Sequence, residues 1–261
     1  MRLFGRRIFD FWVAEESGRL VGSTLVTYGV RAGFLSTVAV RPAYRRRGIA
    51  QALLARAHEE IRSGHRPYAA LQVLRENAPA QALYARLGYR KISTSTVFAR
   101  EPGPTDATYT PPGGAAIRSF ARPDGTALAA LVNASLSPEV REVLPSYPGA
   151  FSLPPLLASS THSESTAWVL LSGERPVGFL RATVGGITRS AHLTQPILGP
   201  EVGTESALAL VRTGLAWIAS HAPVRAVVEV PEGATLPRET LATLGFESKF
   251  TTDLLVRGSG A

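Results

Sequence analysis

The sequence predicts an α/β chain of the α+β kind, built as two tandem domains, and three observations carry that prediction. Apolar patterning over residues 9–100 switches between strand and helix periods in the order β-β-β-α-β-α-β. The segment REPGPTDATYTPPGGA, residues 100–115, is rich in Pro, Gly and Thr and has no hydrophobic periodicity, so it reads as a linker. Beyond it the order repeats, and a constant offset of 157 aligns the second half on the first without a gap from the first helix onward. The expected division is residues 1–102, a linker at 103–114, and residues 115–261.

The elements follow in order. FDFWVAEE and RLVGSTLVTYGV are β-rich runs on either side of SG, hence a hairpin, and GFLSTVAV is a third strand. GIAQALLARAHEEIRSG takes helical spacing, with Ile49, Leu53, Leu54, Ala57 and Ile61 on one face and Gly64 at the stop. YAALQVL is a strand, NAPAQALYARLGY a short helix ending at Gly88, and ISTSTVFAR the last strand. In the second half Ile218 stands where Ile61 does, VEV (228–230) matches LQV, and TLATLGF (240–246) matches LYARLGY (83–89). Upstream, RPVG (175–178) matches RLVG (19–22), and Pro200 matches Pro42, with small shifts of register. An ungapped run of about forty positions in matched order argues for duplication. The second copy carries a front end: AAIRSF, a helix from DGTALAALVNASL, then SPEVREVL. The first copy begins at what would be its second strand, without the strand and helices that precede it in the other.

Composition excludes several classes. Hydrophobic residues make up 45% and charged residues 18%, the balance of a soluble globular chain with a core to bury. There is no cysteine, which removes disulfides, thiolate-zinc sites and thiol nucleophiles. No apolar run approaches the roughly eighteen residues of a membrane span, and no secretory core follows Met1, so a cytoplasmic protein that does not engage the membrane is expected. Residues 1–100 hold 17 Lys+Arg against 6 Asp+Glu, and the remainder 11 against 14, so any anion-seeking surface lies in the first half. Only Lys91 and Lys249 are lysines, which makes arginine the chain's ordinary cation. No base-reading motif or interleaved aromatic pattern accompanies the basic residues, which disfavours nucleic acid as partner. His58, His65, His192 and His221 lack metal-ligand spacing, His162 and Glu164 sit in the polar stretch SSTHSEST, and no metal is expected.

One stretch carries chemistry. In VAVRPAYRRRGIAQALL a strand enters a loop with several arginines and one glycine, and a helix begins at once. Such a loop gathers backbone N–H groups into a concavity to which the helix N-terminus adds its dipole. Gly48 permits close approach of a phosphate, and Arg45, Arg46 and Arg47 add charge. The plainer reading is a solvated basic turn.

Arg45-Arg46-Arg47-Gly48-Ile49-Ala50 resembles the Q/R-x-x-G-x-G/A signature of the GNAT superfamily of acyl-CoA N-acyltransferases. VAVRPAYR before it and ENAPAQALYARLGYRK after it resemble that family's strand and its N-x-x-A-x-x-L-Y-x-x-L-G-F segment, so the likeness covers residues 9 to about 100 with three motifs in order. The resemblance implies a mixed, mostly antiparallel sheet with flanking helices and a splayed strand pair in each domain. It implies acetyl-CoA as cosubstrate, with its pyrophosphate on the amides of the 45–50 loop and its pantetheine arm beside Val38, Ala39 and Val40. Asn77 would touch the same arm, or cap the helix that follows it, or both. Tyr84 matches the tyrosine that serves the family as general acid, its alternative being a half-buried aromatic facing the sheet. The position from which many members deprotonate the amine holds Gln72, which cannot take a proton; Glu15, Glu16 and Glu76 are the nearby acids, and none is assigned as base.

The second copy reads GPEVGTESA opposite the arginine loop, with Ala234 for Asn77, Leu241 for Tyr84 and Glu229 for Gln72. It is expected to be a degenerate GNAT-like domain that completes the acceptor pocket or pairs the chain with a second copy in a homodimer. The expected function is transfer of acetyl to a primary amine, on a small molecule or a peptide, by direct attack in a ternary complex. The alternative is a CoA-binding or scaffold protein without turnover.

Overall fold

The computed structural model describes residues 2–3, 6–103, 116–151, 164–185, 190–221, 224–234, 236 and 238–259. The expected linker lies outside these residues except for Gly103, as does His162. The first half runs β1 (Arg2–Leu3), β2 (Arg6–Arg7), β3 (Phe9–Glu16), β4 (Arg19–Tyr28), β5 (Ala32–Val40), α1 (Ile49–Ser63), β6 (Tyr68–Leu74), α2 (Ala78–Arg86) and β7 (Arg90–Arg100). The second runs β8 (Ile117–Ser119), α3 (Gly125–Ser135), α4 (Pro138–Val143), β9 (Glu164–Ser172), β10 (Arg175–Val184), β11 (Ser190–Leu193), β12 (Ile197–Leu198), α5 (Thr204–His221), β13 (Arg225–Pro231), α6 (Arg238–Thr243) and β14 (Glu247–Gly258). From Phe9 to Arg100 the order is the one the periodicity predicts, and the class is mixed α/β. No described helix is long and apolar enough to cross a membrane.

Two compact units form, and they are not the sequential halves. One is Met1–Thr94 with Ser137–Pro145 and Thr251–Ala261; the other is Ser95–Leu136 with Ser146–Phe250. The first unit's sheet is β3-β4-β5-β6-β14, where Thr252–Gly258 of β14 run antiparallel to Leu74–Tyr68 of β6. The second unit's sheet is β7-β13-β11-β10-β9-β8, where Ser95–Arg100 of β7 run antiparallel to Pro231–Ala226 of β13. Each unit therefore takes its last strand from the other half of the sequence. Duplication makes this available: Val97-Phe98-Ala99 and Leu254-Leu255-Val256 are both continuous buried runs, so either fits the slot beside a central strand.

The segment SPEVREVL, expected at the front of the second domain, packs in the first unit instead. Ser137 accepts a hydrogen bond from Val140 N–H at 3.3 Å and Pro138 opens the helix, a strong start for so short an element. Val143 is buried against Ala32, Ala70 and Val256. Arg31 donates to the Glu142 carbonyl at 2.7 Å, Tyr68 donates to the Glu142 carboxylate, and Arg90 pairs with Glu139 at 2.9 Å.

On the opposite face of that sheet, Leu53, Leu54, Ala57 and Ile61 of α1 are buried, the stripe read from the sequence. Leu54 and Ile61 are fully buried with Leu35 and Leu71, each such side chain stabilising by about 1.5–3 kcal/mol. Gly33 lets α1 lie this close: a Cβ there would stand 2.3 Å from Ile61 Cγ1. In the second unit Ala207, Leu210, Val211, Leu215 and Ile218 of α5 cover the corresponding face.

Candidate active site

The site begins where two strands part. β5 and β6 pair in parallel from Ala32 opposite Tyr68 to Leu35 opposite Leu71, and the pairing ends there. β5 stays with β4, through Ser23 opposite Ala39 and Gly22 opposite Val40, while β6 stays with β14. A bulge in β5 starts the divergence: Leu25 faces Ser36 but Ser23 faces Ala39, and Thr37 takes φ +50°. The edge of Val38, Ala39 and Val40 that would face β6 has no ladder partner among the described residues, so its backbone groups, apart from the Val40 carbonyl that Arg45 engages, are available to an extended polar chain.

The loop beyond β5 is built to present N–H groups. Arg41 N–H donates to the Val21 carbonyl at 2.9 Å, and Pro42–Tyr44 form one 3-10 turn. Arg46 then takes φ +65° and Gly48 φ +81°, two left-handed residues that turn the chain sharply into α1. Gly48 is the N-cap and supplies no side-chain cap. The first bond onto the helix is Ala52 N–H to the Gly48 carbonyl, at 3.0 Å, so the amides of Ile49, Ala50 and Gln51 have no partner among the described residues. A Cβ on Gly48 would meet nothing within 4 Å, which leaves the concavity open.

The three arginines are not equivalent. Arg45 donates to the Val40 carbonyl at 3.2 Å, tying the loop to the strand. Arg47 pairs with Glu16 at 3.3 Å and stacks over Tyr44 at 5.1 Å. Arg46 is exposed and has no partner among the described residues, so its charge is the one uncommitted to the protein.

Asn77 is the N-cap of α2, its Oδ1 accepting from Ala80 N–H at 3.2 Å. That fulfils the capping reading and leaves the amide NH2 as a donor. Tyr84 is 6% exposed and packs in one cluster with Val73 and Val38, which places it beside the parted strands. Burial raises its pKa, and its hydroxyl has no hydrogen-bond partner among the described residues. Its ring meets Tyr89 edge-on at 5.7 Å. Behind Tyr89, Arg257 donates to His58 Nδ1 at 2.8 Å, so His58 donates from Nε2 to the Tyr89 hydroxyl at 2.7 Å. Burial, and then the Arg257 guanidinium, lower His58 to about 4.

Val38–Val40 and the 45–50 loop follow the paired stretch of β5, and Asn77 and the start of α2 follow β6. They therefore lie beyond the same end of the two parallel strands, with Tyr84 in one cluster with Val38. Gln72 is exposed and alternates away from buried Val73, while Glu76 and Glu15 are exposed and Glu16 is committed to Arg47. Sequence reasoning missed Asp253, a buried carboxylate on β14 that bonds Arg75, Thr94 and Gln81 around the start of α2. Its signal is an acid followed by an apolar run, TTDLLV, but nothing local says which strand it lies beside.

The second unit keeps the scaffold and changes the chemistry. β11 and β13 pair in parallel up to Leu193 opposite Val228 and stop, at the register where β5 and β6 stop. The ion pair joining loop to hairpin has reversed its sign: Glu201 of the loop pairs with Arg175, where Arg47 pairs with Glu16. Leu241, in the place of Tyr84, is fully buried, with Leu236 and Leu210 also closed to solvent. Among the described residues no group of His, Cys, Asp and Glu is arranged to hold a metal ion.

Residues 7–91 match the family model of the acetyltransferase (GNAT) domain. An acetyltransferase of Pectobacterium atrosepticum is 32% identical over 90 residues, which are 34% of this chain and 64% of that protein. The chain thus spans less than two thirds of the length of the curated relative it matches. Among solved structures, a tandem GNAT protein from the clavulanic acid biosynthesis pathway is 22% identical over 97% of this chain and 83% of its own, with a TM-score of 0.66. A GCN5-related N-acetyltransferase from Sphaerobacter thermophilus is 18% identical over 93% and 78%, with a TM-score of 0.64.

Proposed function

We propose that this chain is a tandem member of the GNAT superfamily, to whose domain model residues 7–91 match, and that its first unit transfers acetyl from acetyl-CoA to a primary amine. The observation that carries the reading is the loop at Arg45–Ala50, with uncommitted helix amides and an open left-handed glycine, at the mouth of the parted β5 and β6. These features fit a pyrophosphate followed by an extended amide-bearing arm. Ile49 and Ala50 amides with Arg46 would hold the former; Val38, Ala39 and Val40 backbone and the Asn77 amide would hold the latter.

Bound acetyl-CoA supplies a thioester, whose carbonyl carbon a neutral amine attacks while the C–S bond breaks. Tyr84 does the protein's share of proton work. Burial keeps its phenol protonated at neutral pH, and its hydroxyl, with no partner among the described residues, is available to protonate the departing sulfur. Gln72 cannot accept the proton that the amine loses, so that proton passes to water, from which the Tyr84 phenolate regains the one it gave to the sulfur. The acceptor is an amine on a small molecule or a peptide. The second unit, with Glu201 on its loop and Leu241 for a tyrosine, contributes framework rather than a second cofactor site.

Calorimetry with acetyl-CoA tests the reading, with one site per chain and weakened binding in Arg46→Glu as the expected result. A panel of amines with thiol detection then reads turnover, free of background because the chain has no cysteine. Gln72 favours a second reading, in which the chain binds CoA without turnover. Binding without thiol release across the panel supports that second reading, and no binding at all defeats both.

A further inference from the structure

We propose that Asp253, carried on the last strand of the chain, is a positioning residue for the Asn77 and Tyr84 end of the site; this rests on the acyltransferase reading. Asp253 is 6% exposed. Its Oδ1 accepts from Thr94 Oγ1 at 2.7 Å and from Arg75 Nη2 at 3.0 Å, and its Oδ2 accepts from Gln81 Nε2 at 3.3 Å. Arg75 Nη2 also donates to Thr94 Oγ1 at 2.7 Å, and Arg75 N–H donates to the Thr251 carbonyl at 3.0 Å. Arg75 lies two residues before Asn77, and Gln81 three before Tyr84. One carboxylate therefore grips both sides of the α2 N-terminus.

A helix of nine residues has little stability of its own, so tertiary ties fix where α2 sits. A buried carboxylate is a costly tie, tolerated only when each oxygen is satisfied, and a strand needing only to pack would be served by an apolar side chain. The second unit supplies the comparison. Asp253 faces Val73 as Thr96 faces Val230, the same place at the 157 offset. At that offset Arg75 becomes Glu232 and Gln81 becomes Arg238, so the acid and both its charged and amide donors are replaced together. The duplicated scaffold folds without this network. It is present only in the unit that has the arginine loop, Asn77 and Tyr84, which ties it to the site rather than to the fold.

The test is a double-mutant cycle in the full chain, read as kcat for thiol release from acetyl-CoA with the most active amine of the panel, beside Tm and the calorimetric Kd for acetyl-CoA. Asp253→Thr, which installs the second unit's residue, should lower kcat by about tenfold or more. In a Tyr84→Phe background the same change should cost no more than about twofold, because the tyrosine it positions is already disabled. Asp253→Asn keeps the shape and one acceptor oxygen, and replaces Asp253→Thr throughout the cycle should the latter fail to fold. Equal fold-losses in both backgrounds overturn the positioning role. A wild-type chain that releases no thiol, whether or not it binds acetyl-CoA, overturns the acyltransferase reading instead.

Discussion

Burial sets the chemistry of Tyr84 before any substrate arrives. A phenol drawn out of water resists ionisation, so Tyr84 stays protonated through neutral pH, and the general-acid role proposed for it would be lost only above the ordinary tyrosine range. Tyr84→Phe removes the proton and keeps the packing; we expect kcat to fall about 10²-fold, with Kd for acetyl-CoA within about threefold of wild type by calorimetry. Burial acts in the other direction on His58, lowered from 6.5 to about 4. Between those values the unfolded chain binds a proton that the folded chain refuses, so stability is present above about pH 6.5 and declines as the pH falls towards 4. Tm measured from pH 7 to 4.5 should drop further in wild type than in His58→Gln; matching slopes would exclude His58 as the cause. Asn77 as the cap of α2 was legible in the sequence because capping follows from local spacing, whereas Tyr84 was singled out only by the family resemblance. Asp253 was not legible, because its partners Arg75 and Gln81 lie more than 170 positions away and no local pattern encodes them.

Two glycines on neighbouring elements separate binding from stability. Gly48 occupies the left-handed region with open space around its Cβ position, so Gly48→Ala meets no neighbour and costs about 1–2 kcal/mol of backbone strain. If the loop holds the pyrophosphate as proposed, the added strain falls on the turn that aims its amides, and the larger effect should be on acetyl-CoA Kd, weakened about tenfold, with a modest drop in Tm. Gly33 is the converse. A methyl there would stand 2.3 Å from Ile61 Cγ1 and 2.6 Å from Cδ1, forcing α1 off the sheet. Gly33→Ala should therefore lower stability by about 1–3 kcal/mol in denaturant unfolding, and Ile61→Ala should recover part of that loss when combined with it. A double mutant as unstable as the two losses summed would sink the close-contact account. The loop was legible because its arginines, glycine and helix start are contiguous. The divergence of β5 from β6 was carried only by the family resemblance, since the bulge at Thr37 that produces it has no composition signal of its own.

At the scale of the molecule, chain order and spatial unit disagree in a way that makes each half insufficient. The first unit's core contains Leu255 beside Leu71 and Tyr89, and Val256 beside Ala70, both from β14. The second unit's core contains Phe98 beside Val228 and Phe246, from β7. Neither pairing was legible in the sequence: β7 and β14 end matching halves with matching apolar runs, and periodicity says that each is buried without saying where. A fragment of residues 1–102 would leave β6 without its antiparallel neighbour and expose Val97, Phe98 and Ala99, so it should lack cooperative unfolding and aggregate. A chain with a protease site inserted in the 104–115 segment should behave differently once cut. Its two pieces each supply a strand to both units, so the nicked protein should elute at the mass of the intact chain and keep acetyl-CoA binding within about twofold, separating only in denaturant. Dissociation of the pieces under native conditions, on a sizing column at micromolar concentration, would show that the exchanged strands do not hold the two pieces together.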